Sequence, residues 1–171
     1  MKKVIRNNTF ETNSSSVHTL VYLNQKLSKS QLKIDANGII KIPIKYFGKD
    51  FKEYSSQEDK LSYVVTAFWC YFGEDMFMFE GNEWKTSYWT DVRNALIEYI
   101  NKNKTSKREC VDIVPYLPHD TEYDHYYYKI AGFDHQMYPT SLDDCIVDLY
   151  RPQAVVEFVF NKNIILQTDC D

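Results

Sequence analysis

The chain has no Cys-x-x-Cys pair, no glycine-rich loop and no long apolar run, and each absence argues against a class of function. Its four cysteines, Cys70, Cys110, Cys145 and Cys170, stand far apart, so neither a zinc knuckle nor a thiol-exchange motif is present. Cys70 and Cys145 fall inside apolar helical patterns, where a free thiol is expected to behave as a small buried hydrophobe. Five glycines and five prolines in 171 residues are too few for a flexible linker, and no repeat or low-complexity tract occurs. A phosphate loop, a dinucleotide fingerprint, a Gly-x-Ser-x-Gly elbow and a His-Glu-x-x-His helix are all missing. That argues against most large enzyme families, and no cofactor is expected. The longest apolar run, around Tyr63–Phe72, falls short of the roughly 18–20 residues that a membrane span needs. Met1-Lys2-Lys3-Val4-Ile5-Arg6-Asn7-Asn8 turns polar too early for a signal peptide. The expectation is one soluble, cytoplasmic domain over residues 1–171 with no membrane contact.

What is present is charge of uneven distribution and many aromatics. The net charge is −4, but residues 1–60 carry a balance of +5 and residues 109–171 one of −9. The two ends can therefore attract each other, and each can steer a partner of opposite sign. The alternative is that both sets are solvated faces.

Periodicity points to an α+β fold: an antiparallel sheet with two longer helices and one short helix packed on it. Ser16–Leu23 reads as a strand rich in β-branched residues. Gln31–Asp35 and Ile39–Ile44 flank Asn37-Gly38, a hairpin signal. Ser55 and Glu58 form a capping box ahead of Leu61, Val64, Val65, Phe68, Trp69 and Phe72 at helical spacing, with Gly73 as C-cap. A second helix starts near Ser87, turns Trp89, Val92, Leu96, Tyr99 and Ile100 inward, and frays at Asn101–Lys104. Met76–Phe79 is a short strand or helix extension. Cys110–Val114 is a strand ending at Pro115, and Tyr126–Ile130 is β-prone. Ser141 caps a short helix through Leu149, stopped by Pro152. Ala154–Phe160 and Ile164–Gln167 form a closing hairpin about Asn161-Lys162-Asn163.

Two polar clusters carry candidate chemistry. Asn13, Ser14, Ser15, Ser16 and His18 feed straight into the first apolar strand and offer donors for phosphate or carboxylate oxygens. His18, two residues past Ser16, suits a general base or a charge-assisted donor. A self-capping turn is the plainer alternative. The second cluster, His119-Asp120, Asp124-His125 and Asp134-His135, matches no standard metal spacing, so no metal is assigned. Tyr123, Tyr126, Tyr127 and Tyr128 cannot all face a core, and exposed tyrosines favour recognition. The surrounding stretch is acidic and would repel long nucleic acid. A protein partner meeting Tyr123, Tyr126, Tyr128, Asp143, Asp144 and Asp148, or a small anionic ligand on a local basic patch, fits better.

The stretch Arg6-Asn7-Asn8-Thr9-Phe10-Glu11-Thr12-Asn13-Ser14-Ser15-Ser16-Val17-His18-Thr19 resembles an uncharacterised family from bacteriophages and mobile elements of Gram-positive bacteria. Gly132-Phe133-Asp134-His135-Gln136 and Phe158-Val159-Phe160-Asn161 match it as well, although Met137 stands where the family pattern has a serine. The resemblance implies origin, with Asn13, Ser14, Ser15, Ser16, His18, Asp134 and His135 as polar positions of its pattern. It implies no activity; by analogy with other small phage-encoded proteins, that origin suggests an accessory protein acting against host defences or otherwise modulating the host. Three mechanisms follow: binding of a phosphate-bearing ligand such as a nucleotide at the Ser/His motif, an anti-CRISPR-like inhibition of a host defence protein through the acidic tyrosine-rich surface, or metal-independent hydrolysis with His18 and His135 as acid and base. The motif residues are expected to converge on one concave site and to contribute little to the core.

Overall fold

Serine chemistry starts the first helix, one residue later than the sequence pattern suggests. In the computed structural model, which describes residues 3–6, 16–23, 31–47, 51–72, 83–103, 108–118, 132–133 and 146–170, helix α1 spans Gln57–Phe72. The Asp59 amide donates to Ser56 Oγ at 2.9 Å, and that hydroxyl donates to the Asp59 carboxylate at 2.6 Å. The cap is thus Ser56 with Asp59 rather than Ser55 with Glu58. Asp59 also receives the Lys45 ammonium at 2.8 Å, a partly exposed pair of small energetic weight. Leu61, Val64, Val65 and Phe68 are fully buried, and Trp69 is half-buried.

Helix α2 spans Glu83–Lys102 and begins four residues before Ser87. Trp89, Val92 and Leu96 face the core as expected. Tyr99 does not: it is 37% exposed, its ring stacked on Phe160. The edge of the Phe68 ring meets Trp89 at 5.7 Å between centroids, which locks α1 against α2.

Strands β1 (Lys3–Arg6), β2 (Ser16–Tyr22), β5 (Lys52–Tyr54) and β8 (Ile164–Cys170) form one antiparallel sheet in the order β1-β2-β8-β5. Strand β1 lies in the polar opening, for which the sequence pattern assigns no element. Two short parallel pairs stand beside this sheet. Strand β3 (Ile39–Pro43) pairs with β6 (Asp112–Tyr116), and β4 (Tyr46–Phe47) with β7 (Gly132–Phe133).

The Asn37-Gly38 turn forms, but it does not join two strands of a hairpin. The Asp35 carboxylate accepts the amides of Asn37 and Ile39 at 2.8 and 2.9 Å, an Asx turn that holds this carboxyl below its ordinary pKa. Residues 31–35 stay irregular, and β3 takes its ladder from β6. Gly38 has φ +82°, and a Cβ there would collide with the Val111 side chain, so glycine is required. β6 runs through Pro115, which is opposite Ile42. Among the described residues β6 pairs on one side only, and an edge tolerates the missing amide.

Pro152 opens a helix. Residues 146–150 form bends and turns, in which Asp148 accepts the Tyr150 amide at 3.1 Å. Helix α3 (Pro152–Phe160) follows, with proline in its first turn. The expected strand at Ala154–Phe160 is therefore helical, with Val155, Phe158 and Val159 buried at i, i+3 and i+4. A short helix thus follows Pro152, while residues 146–149 of the one expected before it form bends and turns. Gly73, Met76–Phe79, Tyr126–Ile130 and Ser141–Cys145 lie outside the described residues. Cys110 is a buried thiol, donating to the Asp112 carbonyl, and Cys70 is half-buried. Phe68→Ala should cost about 3–5 kcal/mol, by lost burial and a cavity between α1 and α2. Denaturant unfolding checks this, and an unchanged midpoint would reject the packing described.

Candidate functional site

Beneath β2 the core contains polar side chains. His18 is 4% exposed and Thr168, opposite it on β8, is fully buried. His18 Nδ1 lies 3.2 Å from the Tyr63 hydroxyl on α1, with the two rings edge to face at 5.5 Å. Tyr63 also meets the rings of Phe47 at 5.2 Å and Phe158 at 6.0 Å. Tyr54, edge-on to Phe47 at 5.1 Å, hydrogen-bonds the Thr168 side chain. Burial pushes the Tyr54 phenol above its ordinary range, with the Lys52 ammonium opposing. Two hydrogen-bonded pairs, His18–Tyr63 and Tyr54–Thr168, are thereby seated in an aromatic surround. Each pair offsets the cost of taking its polar atoms out of water.

This places the last residue of the Ser/His motif inside the protein. Ser16 opens β2, its backbone paired with Cys170 at the far end of β8. The expectation that His18 contributes little to the core is corrected, because it is as buried as its apolar neighbours. Asn13, Ser14, Ser15, Asp134 and His135 lie outside the described residues, as do His119, Asp120, Asp124 and His125. So do Tyr123, Tyr126, Tyr127, Tyr128, Asp143 and Asp144. Asp148 is half-exposed and engaged locally: its carboxylate caps the turn into α3 and stands 4.0 Å from Arg151. Among the described residues no group of three potential metal ligands comes together, and no helix is long and apolar enough to cross a membrane.

Sequence reasoning missed Lys60. Its side chain is 1% exposed, with Nζ donating to the carbonyl oxygens of Asn161 at 2.8 Å and Ile164 at 3.4 Å. The same ammonium lies 5.9 Å from the centre of the Phe158 ring, within reach of a cation–π attraction. It stitches the start of α1 to the turn between α3 and β8. Burial lowers its pKa to about 8. A signal was available, since Lys60, Val64 and Phe68 share one helical stripe and the latter two are core residues.

No protein-family model matches the chain, and neither a curated protein nor a solved structure shows significant similarity to it.

Because the folded lysine releases its proton at lower pH than the unfolded one, stability should rise with pH between about 8 and 10.5. The gain is on the order of 3 kcal/mol. Below pH 8 both states carry the charge, and the folded state bears the full burial cost. Lys60→Met should flatten this slope, which urea unfolding at pH 7 and pH 9.5 would read as a wild-type gain absent in the variant. Equal slopes in both proteins would reject a titrating Lys60.

Proposed function

We propose that this protein is a cytoplasmic, mobile-element-encoded accessory protein that binds a phosphate-bearing small ligand through its Ser/His motif. The observation that carries the reading is the 3.2 Å contact between His18 and Tyr63 in the core. It fixes one end of the motif in a central strand held between β1 and β8. Asn13, Ser14, Ser15 and Ser16 lead in sequence directly into this anchored strand, and in this reading they supply the donors for the anion. His18 acts here as a positioning residue beneath the site. Asp134 and His135 immediately follow β7, and in this reading they complete the polar shell around the anionic group.

Binding suits this geometry better than hydrolysis. A general base must reach the proton it takes at about 3 Å. His18 is 4% exposed with one ring nitrogen on a phenol, so a proton-transfer role would require the core to open.

The test is mass spectrometry of small molecules released from the purified protein, followed by titration with nucleoside mono- and triphosphates. Ser16→Ala should abolish binding and leave the fold intact. Tyr63→Phe removes the phenol that orients His18. It should weaken binding and cost about 1 kcal/mol of stability. A large loss of stability from either change, with the affinity of the folded protein untouched, would make the motif a structural cap.

A further inference from the structure

We propose that the groove between α2 and α3 is a docking site for an arginine side chain of a basic protein partner. The groove uses none of the Ser/His motif, so it stands or falls separately from the ligand reading above. Its volume is about 510 Å³, and Ala95, Tyr99, Val156 and Phe160 give it an apolar lining. Tyr99 and Phe160 stack within it, with ring centroids 4.5 Å apart and planes inclined by 24°. The stack is accessible, since Tyr99 is 37% exposed.

Charge decides the occupant. Glu98 from α2 and Glu157 from α3 both line the groove, and both are exposed. Among the described residues neither carboxylate takes part in an ion pair. The C-terminal ends of both helices also reach the groove, at Lys102 and Asn161, and each adds partial negative charge. The molecule already uses this chemistry from the core side of α3. There the Lys60 ammonium rests on the Asn161 carbonyl at 2.8 Å and faces the Phe158 ring at 5.9 Å.

An aromatic face beside two carboxylates matches a guanidinium better than an ammonium. The guanidinium is flat and weakly hydrated, so it stacks on a ring while its edge donates to carboxylates. Lys102, the one cation lining the groove among the described residues, is the resident competitor. Its removal should therefore help an arginine to bind.

The probe is an acetylated peptide of alternating glycine and arginine, titrated into the full-length protein while the Tyr99 and Phe160 ring signals are followed by NMR. Its citrulline counterpart, identical in shape but uncharged, is the control. The expected result is a response centred on those two rings, absent with citrulline. Glu98→Gln with Glu157→Gln should weaken binding about fivefold or more, and Lys102→Gln should strengthen it severalfold. All three positions are exposed, and an unchanged circular dichroism spectrum verifies folding. Equal binding of the citrulline peptide, no response at millimolar peptide, or weaker binding with Lys102→Gln overturns the proposal. So does an affinity that falls with Ser16→Ala and ignores the glutamates, which would move the binding to the Ser/His motif.

Discussion

The antiparallel ladder between β2 and β8 is the constraint on which the rest of the fold depends. It pairs seven residues, from Ser16 with Cys170 to Tyr22 with Ile164, and so brings together the two ends of the chain. β1 and β5 add to its flanks, and α1 is tied to it by the His18–Tyr63 contact and the hydrogen bond from Lys60 to the Ile164 carbonyl. Closing so long a loop costs entropy that only later contacts offset. Folding through such non-local pairing is expected to be slow for a chain of this size. The opposite charge of the two ends does not hold this ladder together. Towards the Tyr22 end its pairs are Leu20 with Leu166 and Val21 with Ile165, all buried. Electrostatic attraction can speed the encounter of the ends, while apolar burial holds them.

Helix α3 is the second tie. It leads by a short turn into β8, buries Val155, Phe158 and Val159, and receives Lys60 from α1 at its C-terminal end. A buried ammonium that bridges two carbonyl oxygens is a poor source of net stability, because desolvation consumes most of what the contacts return. Its value is geometric. The carbonyls at a helix end need donors when water is excluded, and a long side chain from another element supplies them while fixing the distance between α1 and the α3–β8 turn.

The sequence made some of this legible and hid the rest for identifiable reasons. Strong, local signals were readable: the β-branched run of β2, the apolar stripe of α1, the turn at Gly38. Errors arose where one residue type serves two purposes. Pro152 was read as a terminator, though proline opens helices as readily as it follows them. Val155, Val156, Phe158, Val159 and Phe160 suit a strand by propensity, but helix contacts with α2 and the core override it. Pro115 reads as the end of β6, and an edge position lets the strand continue through it. Parallel pairing of β3 with β6 was invisible, because nothing in either segment names a partner some 70 residues away. Of the candidate site, the motif itself was legible. Tyr63, Tyr54 and Thr168 were not, since a buried hydroxyl looks in sequence like any other strand or helix residue.

The same polar cluster gives β2 a single register. Leu20, Val21, Thr19 and His18 are all buried, so alternation of polar and apolar residues does not by itself say which face is which. A slip of one residue would still bury apolar side chains on both faces, and hydrophobicity would oppose it weakly. It would also move His18 to the other face of the sheet, away from Tyr63, and take Thr168 out of its place opposite that histidine. The phenol would then remain in the core without the ring nitrogen it meets, a cost of about 1–3 kcal/mol. Hydrogen-bonded polar groups thus select one register where apolar burial selects poorly. That requirement also explains why a histidine at the end of a solvent-loving motif points inward. The residue that sets the register of β2 is the one that fixes where the serines preceding it must begin.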